Sequence, residues 1–198
     1  MTIKQWFPTS IYYEPLKKTG LISLNKELTT ESYQLMEMDD EGQAWSKRKY
    51  VGGYTSFASY AELHRLSSTF STLQQEIDKH VVKFAGHLDY DVGDGELQMT
   101  DCWVNIMPAQ TTHSGHIHPL SVVSGTYYVQ TPRNAAGIKF EDPRLPALMA
   151  TPPKKTPCAK RNQHFASLKA KAGNVVLFES WLRHEVPASI TKEDRISI

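Results

Sequence analysis

Three histidines fall within six positions in the segment from His113 to Val129, HSGHIHPLSVVSGTYYV. Neutral imidazole is the commonest protein ligand for first-row metals, so this density points first to a metal site. In an extended chain alternate side chains share a face, which sets His116 and His118 side by side, close enough to grip one ion. A third ligand must come from elsewhere. His184, just beyond the mostly apolar run from Asn174 to Trp181, is the best candidate, and one strand further on Arg195 and Ser197 alternate on a common face.

These residues need elements to position them. After Pro119 the chain reads as a strand from Val123 to Gln130, and further strands are expected at Gly137 to Phe140, Phe165 to Lys169, Asn174 to Glu179 and Arg195 to the end. Leu97 to Met107 alternates enough for a half-buried strand with Trp103, Asn105 and Met107 on one face. The first ninety residues differ in character. Trp6 to Tyr13 reads as a short edge strand around Pro8. Leu21, Leu24, Leu28, Leu35 and Met38 then recur at roughly helical spacing. A second helix is expected from about Tyr60 to Gly86, with Phe70, Leu73, Ile77, Val81 and Phe84 on one face and Gly86 as its cap. No pair among His64, His80 and His87 stands at i, i+4, so packing roles are expected of them.

Two segments stay polar. Asp39 to Gly53, with Trp45 and the cluster Lys47, Arg48 and Lys49, reads as a solvated loop, or more sharply as a lid over an anionic substrate. Pro143 to Arg161 holds five prolines and several basic residues, and is embedded between strands, as a lid or long loop is. Helices first and short strands afterwards make an α+β pattern, mainly β, whose β part is a sandwich or open barrel.

The totals narrow the function classes. The chain has 198 residues, enough for one domain with a substantial core. Lys+Arg 22 against Asp+Glu 21 leaves a net charge of +1, giving no electrostatic reason to expect a nucleic acid or an acidic membrane as partner. Cys102 and Cys158 lie far apart without CxxC spacing, which fits a reducing compartment. With no apolar leader run and no membrane-length segment, a cytoplasmic protein is expected.

HIHPLSVVSGTYYV, FEDPR at Phe140 to Arg144, and GNVVLFESWLRHEVP followed by DRISI resemble the C-terminal part of the 2-oxoglutarate and iron(II)-dependent oxygenases, in a subfamily of small bacterial and phage proteins of mostly unassigned substrate. The opening WFPTSIYY is similar too. The resemblance implies a double-stranded β-helix, a jelly-roll or cupin-like fold, over about residues 95–198. Helices from about residues 1–90 would pack on one sheet, the whole forming one domain. It implies iron(II) held by His116, His118 and His184, with Arg195 pairing with the remote carboxylate of 2-oxoglutarate and Ser197 beside it. A guanidinium suits that task because it holds a carboxylate through two parallel hydrogen bonds. Asn105, Ser124 and Tyr127 or Tyr128 are further candidate contacts on inward strand faces. The implied activity is a dioxygenase reaction that hydroxylates a small-molecule or peptide substrate and releases succinate and carbon dioxide. A homodimer is the expected assembly.

One position departs from the family pattern, which joins two histidines to one carboxylate. His118 stands where the acid belongs. Either three neutral histidines bind the ion, or His113, Glu141, Asp142 or Asp101 supplies the third ligand. Two other readings compete. A cupin-type dioxygenase or isomerase independent of 2-oxoglutarate would share the fold, although its motif wants a glutamate where this chain has Leu120 to Val123. A non-catalytic β-sandwich module would bind structural zinc or nothing.

Overall fold

The strand with the longest buried run is NVVLFE, and its lack of alternation has a structural cause: one of its faces packs on helices and the other on a second sheet. The structure is a computed structural model that describes residues 2–198. Its elements run β1 (Ile11–Pro15), α1 (Leu21–Met38), α2 (Asp40–Lys49), β2 (Tyr54–Thr55), α3 (Leu63–Leu66), α4 (Ser68–His87), β3 (Asn105–Met107), β4 (His113–His116), β5 (Val123–Gln130), β6 (Lys139–Glu141), β7 (Phe165–Ser167), β8 (Asn174–Glu179), β9 (His184–Val186) and β10 (Arg195–Ser197). The six-stranded sheet has the order β1-β8-β5-β10-β3-β2, and the four-stranded sheet the order β4-β9-β6-β7. Strand pairs in both are antiparallel.

Two cores hold this arrangement. Leu24 and Leu28 of α1 and Phe70, Leu73, Ile77 and Phe84 of α4 bury one face of the large sheet together with Ile106, Tyr127, Val129, Val175, Leu177 and Ile196. Tyr128, Val176 and Phe178 on the opposite face meet Ile138 and Phe140 from the small sheet's side. The parity of each strand therefore decides which layer a side chain enters. Ile106 and Ile196 face the helices, so Asn105, Met107, Arg195 and Ser197 face the space between the sheets.

Several local expectations change. The segment after Asp39 is helix α2 rather than a loop. Asp39 caps it by accepting from the Gly42 N–H (2.8 Å), Asp40 and Glu41 stand in its first turn, and Lys47, Arg48 and Lys49 in its last. Both ends thus complement the helix dipole. The helix expected over Tyr60 to Gly86 divides at Ser67, whose hydroxyl accepts from the N–H groups of Thr69 and Phe70, and Gly86 lies inside α4 while Leu88 caps it. The first strand starts at Ile11, leaving Trp6 and Phe7 exposed. Only Asn105–Met107 of the expected Leu97 to Met107 strand is laddered. Between β6 and β7, the proline-rich segment carries two short 3-10 turns. Among the described residues no helix is long and apolar enough to cross a membrane.

Asp39 does more than cap. Its carboxylate also accepts from the hydroxyls of Tyr54 (2.7 Å) and Ser59 (2.5 Å), tying α2 to β2 and to the turn that follows. Asp39→Ala strands these three donors and should cost about 2–3 kcal/mol, read as a lower urea midpoint at unchanged slope.

Candidate metal and cosubstrate site

One register within the small sheet brings two of the histidines together. β4 pairs antiparallel with β9 so that His116 lies directly opposite His184, and side chains so placed project from the same face. Their ring centroids are 4.3 Å apart. His118 lies beyond the end of β4, not on it as strand alternation suggested. Its backbone N–H donates to the Ser180 carbonyl (3.0 Å), which folds the chain back and brings its ring onto that of His184 at 5.1 Å. One donor nitrogen from each of His116, His118 and His184 lies within 4.8 Å of the others, the only such cluster of histidine, cysteine or carboxylate donors among the described residues.

The hydrogen bonds prepare these rings as ligands. His116 Nδ1 lies 2.7 Å from the Ser114 carbonyl and His184 Nδ1 lies 2.9 Å from the Leu182 carbonyl. A carbonyl only accepts, so each Nδ1 carries the proton and each Nε2 keeps a free lone pair. His118 Nε2 and His184 Nε2 stand 3.3 Å apart, close to the roughly 3 Å that separates two nitrogens at right angles on one ion with bonds of about 2.1 Å. Burial, reinforced by repulsion from His116, pushes His118 down to about 4. His184 is pushed down to about 3, mainly by burial among Phe178 and Phe140, against the opposing effect of its bond to Leu182. Both are neutral at pH 7, as ligation requires.

The other candidates for a third ligand are engaged elsewhere. Glu141 faces Arg183 (3.5 Å), Asp142 forms a two-pronged pair with Arg144 (2.9 and 2.8 Å), and Asp101 is exposed and accepts from Thr100. His113 packs between the rings of Tyr50 (5.1 Å) and His116 (4.4 Å), tilted to both, without joining the donor cluster. His80 is a packing residue as expected, with its ring nitrogens taken by the Tyr12 hydroxyl and the Leu16 carbonyl.

Arg195 is the second unusual feature. It is 3% exposed, yet among the described residues no carboxylate pairs with it, and its Nε has no partner. Its Nη1 reaches only the Met107 sulfur (2.8 Å), and its guanidinium lies over the Tyr128 ring (5.0 Å). A buried cation held by a thioether and a ring face lacks its natural counter-ion. An anionic ligand that places a carboxylate there meets that need, so the residues present fit 2-oxoglutarate as well as they fit iron.

Of the remaining candidates, Ser197 pairs with Asn105 across the strands on the same inner face as Arg195, and the Asn105 Oδ1 is buried without a partner. Tyr127 is a correction. It lies in the helix-facing core, and its hydroxyl donates to Asn25 Oδ1 of α1 (2.5 Å), whereas Tyr128 occupies the inner face under Arg195. The hydroxyl of Ser124 is joined to that of Ser180 (2.7 Å), the residue whose carbonyl holds His118. Ser124 therefore supports the His118 turn instead of offering an open hydroxyl. Tyr50, at the C-terminal cap of α2, went unnoticed in the sequence although it stands beside His113. The acidic start and basic end of α2 are the signal that could have placed it.

Two facing antiparallel sheets with helices on the larger one and a histidine cluster between them define a double-stranded β-helix metalloprotein. The family model described as "Putative 2OG-Fe(II) oxygenase" matches residues 101–198, and the chain belongs to that family of 2-oxoglutarate and iron(II)-dependent oxygenases. Comparison with curated proteins gives no match. Solved structures share the fold at low identity. A prolyl-4-hydroxylase of Pseudomonas putida is 12% identical, with 96% of this chain and 89% of that chain covered at a TM-score of 0.60. The non-haem α-ketoglutarate-dependent epimerase SnoN from nogalamycin biosynthesis is 14% identical, covering 96% and 74% at 0.64. HygX from Streptomyces hygroscopicus, solved with nickel and 2-oxoglutarate bound, is 15% identical, covering 96% and 80% at 0.58.

Loss of a supporting group around a metal ligand typically weakens binding 10- to 100-fold, and loss of a ligand should exceed that. His184→Ala is expected to weaken iron(II) or nickel(II) binding by more than about a hundredfold, and His113→Ala by less than about tenfold. Competition against a chromophoric chelator measures both.

Proposed function

We propose that the protein hydroxylates a small-molecule or peptide substrate at an iron(II) held by His116, His118 and His184, with 2-oxoglutarate as cosubstrate and succinate and carbon dioxide as products. The observation that carries this reading is the pairing of a three-histidine cluster with a buried arginine that has no acid partner, both between the same two sheets. Iron(II) with 2-oxoglutarate bound supplies the activation of dioxygen and the oxidation of a carbon–hydrogen bond.

The chain's own residues supply position and exclusion. His116 and His184 are fixed by their carbonyl partners, and His118 by the turn that Ser180 and Ser124 hold. Phe140 and Phe178 wall His184 off from water, which strengthens electrostatic contacts within the site. Arg195 takes the remote carboxylate of the cosubstrate, with Ser197 and Asn105 as neighbouring polar groups. Beside His118 stands a row of rings, Trp103 at 5.9 Å, then Phe57 and Trp45 at steps of 5.1 and 6.3 Å. That row suits a substrate with an apolar or ring-bearing portion. A reducing, cytoplasmic setting fits the free Cys102 and Cys158.

The cupin-type alternative is not favoured, because it gives no reason for an unpaired arginine on the last strand. Anaerobic titration of iron(II)-loaded protein with 2-oxoglutarate tests the proposal. A visible charge-transfer absorption should grow in, and Arg195→Ala should weaken cosubstrate affinity by at least about thirtyfold while iron binding persists. Folded protein that gives no absorption, or an Arg195→Ala variant of unchanged affinity, would overturn it.

A further inference from the structure

Tyr50 sits 3% exposed at the end of α2, and its hydroxyl is buried without a hydrogen-bond partner. Buried tyrosine hydroxyls almost always find one, and an orphan of this kind marks a place where something else binds. Its surroundings show what. The ring belongs to a small core with Met107 and Val186, and Met107 is the residue whose sulfur receives the Arg195 guanidinium. On its other side the ring meets His113, which meets His116. Tyr50 thus stands between the arginine and the histidine cluster. Arg195 Nε and the Tyr50 hydroxyl are both buried donors lacking an acceptor, and the asparagine oxygen of Asn105 and the hydroxyl of Thr111 are likewise unpartnered.

We infer that the Tyr50 hydroxyl is the second donor to the remote carboxylate that Arg195 binds, so that helix α2, outside the family-matched half of the chain, completes the cosubstrate pocket. A carboxylate has two oxygens and about four lone-pair directions, enough to accept from a guanidinium and a phenol together. Burial holds the phenol protonated, as a donor must be, and outweighs the pull of the neighbouring Arg195 charge toward the phenolate. Because the hydroxyl makes no bond in the free protein, its burial costs stability there, and it is available to the ligand. This assignment rests on the oxygenase reading above.

The test is Tyr50→Phe, which removes one oxygen and keeps the ring. Iron(II)-loaded wild type and variant are titrated anaerobically with 2-oxoglutarate and with 2-oxopentanoate, which keeps the metal-chelating end and lacks the remote carboxylate. The variant should bind 2-oxoglutarate about tenfold more weakly, bind 2-oxopentanoate as the wild type does, and unfold at the same or a higher urea midpoint without ligand. Equal 2-oxoglutarate affinity in both proteins overturns the inference. An equal loss for both ligands, or a lowered urea midpoint, also overturns it, since the hydroxyl would then act through packing. If wild type itself binds neither ligand, the failure lies with the oxygenase reading.

Discussion

The pairing of β4 with β9 is the constraint on which the site depends. It sets His116 across from His184, beyond an irregularity between His113 and His116, and a further shift of one residue would turn the His116 side chain to the opposite face. The rest of the small sheet reinforces it. β6 pairs with β9 at Phe140 and His184, and Phe140 packs edge to face on Phe178 of the large sheet. The juxtaposition of His116 and His184 is therefore a property of register within the small sheet, with only His118 delivered by a turn. That turn is itself fixed, since Ser180 holds it from the end of β8.

The same strands carry a second, separate polarity. The neutral His118 and His184 stand beyond the end of β4 and on β9, while among the described residues the buried cation without an acid partner, Arg195, comes from β10 in the large sheet. A molecule with a chelating end and an anionic tail matches that separation. With His118 as the third ligand where a carboxylate would otherwise stand, a metal held there would keep one more positive charge and attract an anionic chelator more strongly. The buried unpaired groups, costly in the free protein, are what a site prepared for such a ligand looks like.

Much of this was legible in the sequence, and the failures have physical causes. His116, His118, His184 and Arg195 stood out because few residue types do metal and carboxylate chemistry, and strand alternation gave Ser197 its face. Tyr127 was misplaced by one residue because β5 is buried on both sides, so no polar alternation marks which face is inward. Helix α2 was hidden by its lack of an apolar stripe. It is held by its caps, its charge distribution and the Asp39 network, and with it Tyr50 and the placement of Trp45 were lost to a loop reading. The long central helix divided at Ser67 because that side chain bonds the backbone of the next turn, which hydrophobic spacing does not report.

The central claim is that three neutral imidazoles, one of them from His118, hold the metal. X-ray absorption fine structure of the iron(II) protein counts imidazole scatterers directly, and comparison with His118→Ala assigns one of them. Three imidazoles in the wild type and two in the variant are predicted. Two in both proteins, with an oxygen ligand from the chain completing the set, would contradict the account.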